Sequence, residues 1–571
     1  MITVNDHQTF RLFDPWEYLG PKRRKLLDTS WSGVFRKYLL EKLPVKKIAN
    51  HFDEVMGRPS KELYTAIGSL MLQQLHDLSD PDVTRALAFN IDWHYALDIT
   101  DESDACKYLS ERTLRTYRKI LIKEGLDRVL FETLTDSLIK AFGVDTTKQR
   151  LDSTLIQSNM RKLGRIRIFS TTIRKFLKKL KRTHPDLFNN LLETEFCDRY
   201  IAKESERCFS QVKPSEAART LDGLAEDLLY LIERFSSQGN VVTLSEYKLL
   251  KRVLREQCRV TGSGKDVKVE IKPSKEVPSH SLQNPSDPDA GYDSHKGQGY
   301  QLQIMETYQV EKQDDKKPDL ITHVEVEPAN EHDANALQPA IDTTKERGCC
   351  PEEIVCDTLY GGDDNVQKAA VKGVEVVAPL KGPAPASEIS LSDFEVDENT
   401  NFVTGCPEGY KPENVCRTQK NRIRARFNKK TCFACQHLKN CPVKPGKKAA
   451  FLRYDDKILR LAKRRAHEQT REFKDRYRWR AGIEGTNSHL KSDVGAARLR
   501  VRGIASVRFT VTLKALGLNI LRCARAIHAR LLPYITRFSA LKLIHKTLIN
   551  KLYAMFHILL SKNRYIYVIE R

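Results

Sequence analysis

Acidic residues are missing from long stretches of this chain. None occurs between 156 and 182, none between 414 and 454, and after position 493 only Glu570 remains. Uninterrupted apolar runs are missing too. None approaches the ~18–20 residues that cross a bilayer. The best stretch, LYAMFHILL (552–560), reads as a core helix. The opening MITVNDHQTF lacks the charged-then-apolar layout of a secretory leader. No internal repeat stands out. These absences argue against a membrane and against export, and they predict a cytoplasmic protein. Its 13 cysteines are then expected as thiols or metal ligands rather than disulfides.

What is present is basic charge. Lys and Arg number 96 against 74 Asp and Glu, a net charge of +22 over 571 residues. That excess favours a polyanionic partner, most simply nucleic acid. Hydrophobic residues at 40% and aromatics at 8% suffice for buried cores. The length predicts about three or four domains.

Residues 1–135 read as helical. In GRPSKELYTAIGSLMLQQLHDLSD (57–80) the Pro59-Ser60 pair suggests a helix start, followed by apolar residues at helical spacing. Ser110 is a candidate N-cap for a helix carrying Arg112, Arg115, Arg118 and Lys119, either a DNA-contacting helix–turn–helix or a bundle with a basic face. A strand-like run follows at 148–158 and contains Asp152. The stretch 156–182 holds ten Lys or Arg, among them Arg161, Lys162, Arg165, Lys178 and Lys179, which are expected to form a DNA-binding, phosphate-contact surface. Helices are expected from there to about 260, then a polar loop over 272–300. Strands are expected at 299–308, 321–330 and 352–357 and over VEVVAPL, with helices at 332–348 and 364–373. Strand–helix–strand alternation indicates an α/β sheet. Asp357 falls at a strand's C-terminal end, where open α/β sheets place their chemistry.

Glu484 is the single acid in YRWRAGIEGTNSHLK (477–491). One reading is an ordinary i,i+4 pair with Arg480, worth a few tenths of a kcal/mol. The spacing allows another. At about 100° per helical residue, Tyr477, Arg480, Glu484 and Lys491 share an arc of roughly 60°. Carboxylates on neighbouring elements can hold two Mg²⁺ ions for phosphodiester transfer, and basic flanks can hold the phosphate backbone.

The segments DSTLI (152–156), VCDTLYGG (355–362) and YRWRAGIEGTNSHLK resemble the three acid-bearing segments of DDE transposases of bacterial insertion sequences. The third is similar to that family's Tyr-x2-Arg-x3-Glu-x6-Lys signature at every fixed position. The resemblance covers about residues 40–525. It implies an α/β, ribonuclease H-like mixed-sheet catalytic core with added helical and cysteine-rich parts. The implied layout is a helical N-terminal domain over 1–135, a candidate for DNA-end binding. The first core strand would lie in 136–160, a basic helical insert in 161–270 and the rest of the sheet in 271–385. A cysteine-rich insert would fill 386–455 and the Glu484-bearing helices 456–525; beyond the resemblance, 526–571 reads from its own residues as a basic helical tail. It further implies Asp152, Asp357 and Glu484 as catalytic ligands of Mg²⁺ or Mn²⁺. Tyr477, Arg480 and Lys491 would bind DNA. The partners would be double-stranded DNA, both element ends and target, with a homodimer assembled on it. The location would be the bacterial cytoplasm, at the nucleoid.

Cys406, Cys416, Cys432, Cys435 and Cys441 lie close in sequence. Four thiolates suit structural Zn²⁺. Cys406, Cys432, Cys435 and Cys441 are the expected set, with Cys416 spare; reduced cysteines in an insertion are the other reading. His295, His323 and His332 are either structural or proton-handling. Trp479 either packs or stacks on a base. Two rivals share the acid triad or the DNA binding: a metal-dependent nuclease on the same fold, and a catalytically silent DNA-binding derivative.

Overall fold

A computed structural model describes residues 2–530, except 8, 10–11, 55, 58, 203–208, 210, 263–265, 311–316 and 383–388. The tail expected over 526–571, and with it LYAMFHILL, lies outside the described residues from 531 on.

Five strands form the central sheet: β1 (Lys148–Ile156), β2 (Gly297–Thr307), β3 (Ile321–Pro328), β4 (Glu353–Cys356) and β5 (Glu375–Val377). They lie in the order β3–β2–β1–β4–β5. β1 is antiparallel to β2 and parallel to β4, and β4 is parallel to β5. A sixth short strand, Gly291–Asp293, pairs with the start of β2. Three antiparallel strands followed by two parallel ones, with the first strand central, is the ribonuclease H-like arrangement. The strands expected from the sequence are these strands, with ends shifted by a few residues.

The sheet's two faces are covered differently. Helices α1 (Leu63–Leu75), α2 (Glu111–Lys123) and α3 (Leu126–Phe142) share a core with one face, through Ile156, Tyr300, Leu302 and Ile304. Helix α4 (Arg165–Thr183) belongs to a separate apolar cluster built from the helices of 165–257. On the sheet's opposite face, α5 (Leu337–Glu346) and α6 (Asp363–Val371) cover Leu151, Met305, Ile354 and Cys356. Gly348, at φ 71°, closes the turn after α5 in a conformation that side chains resist.

Helix α7 (Arg471–Tyr477), a 3₁₀ turn (Arg478–Ala481) and α8 (Gly482–Ser492) then carry the third acid across the sheet. The last described helix, α9 (Ile504–Arg530), is long and apolar enough to cross a membrane, but 72% of its apolar window is buried inside the protein. Asn519 shows why it belongs to the core. Its amide bonds both the N–H and the carbonyl of Ile321 at 2.8 Å, docking α9 on the start of β3.

Two expectations are corrected, and one segment carries a sheet that the sequence reading did not include. Helix α1 starts at Leu63, capped by Glu62, which accepts from the N–H groups of Tyr64 and Thr65; Ser60 instead accepts from the Thr3 N–H. The stretch 477–491 is not one uniform α-helix, because a 3₁₀ turn tightens its first part. The cysteine-rich segment contains a four-stranded sheet of Asn414–Arg417, Ile423–Phe427, Ala450–Tyr454 and Lys444–Pro445, with its own core.

Candidate nucleic-acid processing site

In the parallel β1/β4 pair, Leu151 stands opposite Cys356. The next residue on each strand is an aspartate, so Asp152 and Asp357 emerge side by side. Asp152 is buried. Burial, and then the neighbouring charges of Asp357 and Asp333, raise its pKa against the opposing pull of Arg480. Asp357 Oδ1 accepts the Thr358 N–H at 2.6 Å, which fixes the turn leaving the strand.

The 3₁₀ turn and α8 bring the third acid to this pair. Arg480 Nη2 lies 3.6 Å from Asp152 Oδ1, and Nη1 lies 3.2 Å from Glu484 Oε1. The ordinary i,i+4 pair therefore exists, but its guanidinium also reaches the buried aspartate. Burial works to lower the Arg480 pKa, and the charges of Asp152, Tyr477, Asp357 and Glu484 outweigh it, so the net shift is upward. Glu484 keeps 66% of its side chain exposed. Among the described residues no group of three or more His, Cys, Asp or Glu is gathered at metal-holding geometry, neither these acids nor the cysteines of 406–441.

Tyr477 is half-buried and stacks on Phe473 with ring centroids 5.7 Å apart. Burial raises its pKa, as does the charge of Asp357, while Arg480 pulls the other way. Lys491 is half-buried near the end of α8. Trp479 packs on Tyr308, with centroids 6.0 Å apart, and so serves packing. His323 is buried and pushed down to about 3, first by burial. His332 accepts the Ala334 N–H as a helix cap.

The basic run divides by partner. Arg161, Lys162 and Lys178 are exposed and Lys179 is half-buried. Arg165 was expected on that contact surface, but its Nε donates to Gln257 Oε1 at 2.9 Å, inside the insert. Burial lowers its pKa. Lys175 is likewise turned inward, donating to the Pro285 carbonyl at 2.6 Å. An amphipathic helix with eight buried residues needs some of its cations as internal struts.

Two features carried no sequence signal of their own. Asn487, one turn after Glu484, donates through Nδ2 to Asp152 Oδ2 at 3.2 Å. Beneath the acids, Glu306 of β2 is fully buried and bonds Arg150 of β1 at 2.7 Å, Arg522 of α9 at 2.8 Å and Thr486 of α8 at 2.7 Å. Arg150 also donates to the Trp479 carbonyl at 3.0 Å. This network ties the strand bearing Asp152 to the helix bearing Glu484. Gly482 makes the approach possible: a Cβ there would sit 2.0 Å from Arg150 Nη1.

In the cysteine segment, burial pushes Cys432 up to about 11, and Cys441, Cys406 and Cys435 each add to that rise. Cys416 faces elsewhere, accepting from Arg424 Nη2 at 3.8 Å.

Two family models match the chain. One, described as a transposase DDE domain, covers residues 405–524 and so includes Glu484 and the cysteine segment but neither aspartate. The other, described as a transposase domain (DUF772), covers residues 32–119 in the N-terminal helices. No curated protein matches the chain. The chain thus carries matches to two transposase domains, one on either side of a ribonuclease H-like sheet.

Proposed function

We propose that this DNA transposase cuts DNA at the terminal inverted repeats of its element and joins the freed 3′-OH to target DNA. Asp152, Asp357 and Glu484 are the carboxylates of a centre for Mg²⁺ or Mn²⁺. The observation that carries this reading is the side-by-side placement of Asp152 and Asp357 on parallel strands, with Arg480 linking Asp152 to Glu484. The donor set fits such ions. It is all hard oxygen, and Asp152 is buried beside another carboxylate, where added positive charge relieves repulsion. When bound, the cations polarise the scissile phosphate and activate the attacking oxygen.

The chain's own residues position the DNA. Arg480 Nε is buried and has no hydrogen-bond partner among the described residues. Its guanidinium, now shared between two carboxylates, can turn to phosphate once they are neutralised. Lys491 supplies a second cation on α8, and Tyr477 a hydroxyl. Two copies act on two ends as a homodimer on DNA. The test is incubation of the purified protein with its element's end DNA, with and without Mg²⁺. Cation-dependent cleavage followed by joined product is expected. Cleavage without joining would indicate a nuclease. DNA binding without cleavage would indicate a silent derivative.

The exposed part of the basic run contacts phosphate. Neutralising Arg161, Lys162, Lys178 and Lys179 together is expected to weaken binding to all DNA sequences. It should also flatten the slope of log affinity against log salt by roughly 0.9 per lost contact. Arg165→Ala should instead lower stability and leave the slope alone. An unchanged slope in the fourfold variant would contradict this surface.

Cys406, Cys432, Cys435 and Cys441 hold structural zinc. Support comes from the C-x2-C spacing at 432–435, from the packing of Cys406, Cys432 and Cys441 against one small core, and from the contact of Cys416 with Arg424 instead. Metal analysis is expected to find about one Zn²⁺ per chain, lost in Cys432→Ser and kept in Cys416→Ser. A metal-free, fully folded protein would contradict it.

A further inference from the structure

Two buried side-chain amides of this core are engaged at both ends. Gln149 donates twice, to the carbonyls of Thr146 at 2.9 Å and Cys349 at 2.8 Å, and its oxygen accepts from Thr322. Asn519 uses both ends on Ile321. Asn487 differs. It is 9% exposed, on the face of α8 turned towards β1. Its Nδ2 is engaged by Asp152, while its Oδ1 is buried with no partner among the described residues. The amide cannot be turned to correct this, because the carboxylate needs the N–H donor. A buried acceptor left unmade is unfavourable unless something else binds there.

The unpaired oxygen has a counterpart. Asp152 Oδ2 faces Asn487 and Asp152 Oδ1 faces Arg480, whose Nε–H is also buried and unpartnered. One carboxylate is thus flanked by a spare oxygen acceptor and a spare N–H donor. A divalent cation accompanied by phosphate satisfies both: an amide oxygen is a hard ligand of the same kind as a carboxylate oxygen, and a guanidinium N–H takes a phosphate oxygen.

We propose that Asn487 is a fourth oxygen donor of the cation centre, its Nδ2 orienting Asp152 while its Oδ1 binds the cation held by that carboxylate. This rests on the carboxylate-centre reading above. It makes Asn487 a ligand rather than a packing residue, and it gives α8 two contributions to the centre, one turn apart.

The test is direct Mn²⁺ binding to the full chain, followed by the electron paramagnetic resonance of free Mn²⁺, without any reaction. Asn487→Leu keeps the volume and removes both polar ends; Asn487→Ala removes the side chain; Asn487→Asp restores an oxygen donor without the N–H. Leu and Ala are expected to weaken Mn²⁺ binding by about tenfold or more, and Asp to stay within about threefold of the parent. Cation-free unfolding temperatures and end-DNA affinity should stay near the parent's. If Asn487→Leu folds poorly, Asn487→Ala decides. Parent-like Mn²⁺ binding in the folded Leu or Ala variant overturns the proposal, as does Asn487→Asp falling as far as they do. Asp152→Ala serves as the separate control and is expected to lose the site. If it binds Mn²⁺ as the parent does, the carboxylate-centre reading itself fails.

Discussion

Alanine at Asp152, Asp357 or Glu484, introduced singly, is expected to remove both strand cleavage and strand joining. The loss should be at least ~1000-fold, on the order of 4 kcal/mol of barrier. A centre that needs two cations cannot place both with one carboxylate gone. Stability should change far less. Glu484 keeps most of its side chain in solvent, and removing Asp152 also removes a carboxylate that burial and Asp357 disfavour. Single-turnover cleavage of end DNA, with thermal unfolding measured alongside, checks both halves. Cleavage near the parent's rate in any of the three variants would take that residue out of the centre.

The largest effect on stability is expected at Glu306. Its carboxylate is fully buried between the guanidinium groups of Arg150 and Arg522. Glu306→Gln leaves two buried cations facing a neutral amide, a situation that costs about 3–5 kcal/mol when one partner of a buried pair is lost. Burial works to raise the Glu306 pKa, but the two arginines and the Thr486 hydroxyl hold it below the ordinary value. A depressed folded-state pKa contributes stability above the ordinary glutamate value, and that stability disappears as pH falls through the depressed value. The parent should therefore lose this contribution on acidification, and Glu306→Gln should show a flatter acid limb. Denaturant unfolding across that pH range measures it. Cleavage should fall as well, because Thr486 and the Trp479 carbonyl are the anchors of the segment carrying Glu484. A Gln variant as stable as the parent would mean that the network contributes nothing to holding the sheet and α8 together.

The core strands were legible because their periodicity is simple. β2 and β3 alternate apolar with polar residues, and β4 and β5 are short apolar runs. Asp357 was legible for the same reason, as the residue after an apolar run. The sheet in the cysteine segment was hidden, although Ile423, Ala425 and Phe427 alternate inward with Arg424 and Arg426 outward. There the outward positions are arginines within a long basic run, which masks the period of two. The 3₁₀ turn at 478–481 was invisible because its residues are good helix formers, and the tightening is imposed by tertiary contact with Arg150. Arg165 and Lys175 show the limit of charge counting: a cation's partner, carbonyl or phosphate, is decided by the fold. Glu306 and Asn487 could not be singled out among many acids and amides, since each gains its role only from residues more than a hundred positions away.

Arg480 sits where the two readings of Glu484 divide. As the acid of a plain helix pair, Glu484 would hold Arg480 in place for DNA. As a cation ligand, it would stand in the way of phosphate until neutralised. Gel-shift titration of end DNA at two salt concentrations, with a cleavage assay on the same preparations of Glu484→Ala, Arg480→Ala, Lys491→Ala and Tyr477→Phe, separates them. The expected result is that Glu484→Ala binds ends as well as the parent or more tightly and cleaves none. Arg480→Ala and Lys491→Ala should lose binding worth roughly 1.5–3 kcal/mol each, and Tyr477→Phe should lose less. Loss of binding in Glu484→Ala as severe as in Lys491→Ala would make the acid a structural partner of Arg480 and contradict the account.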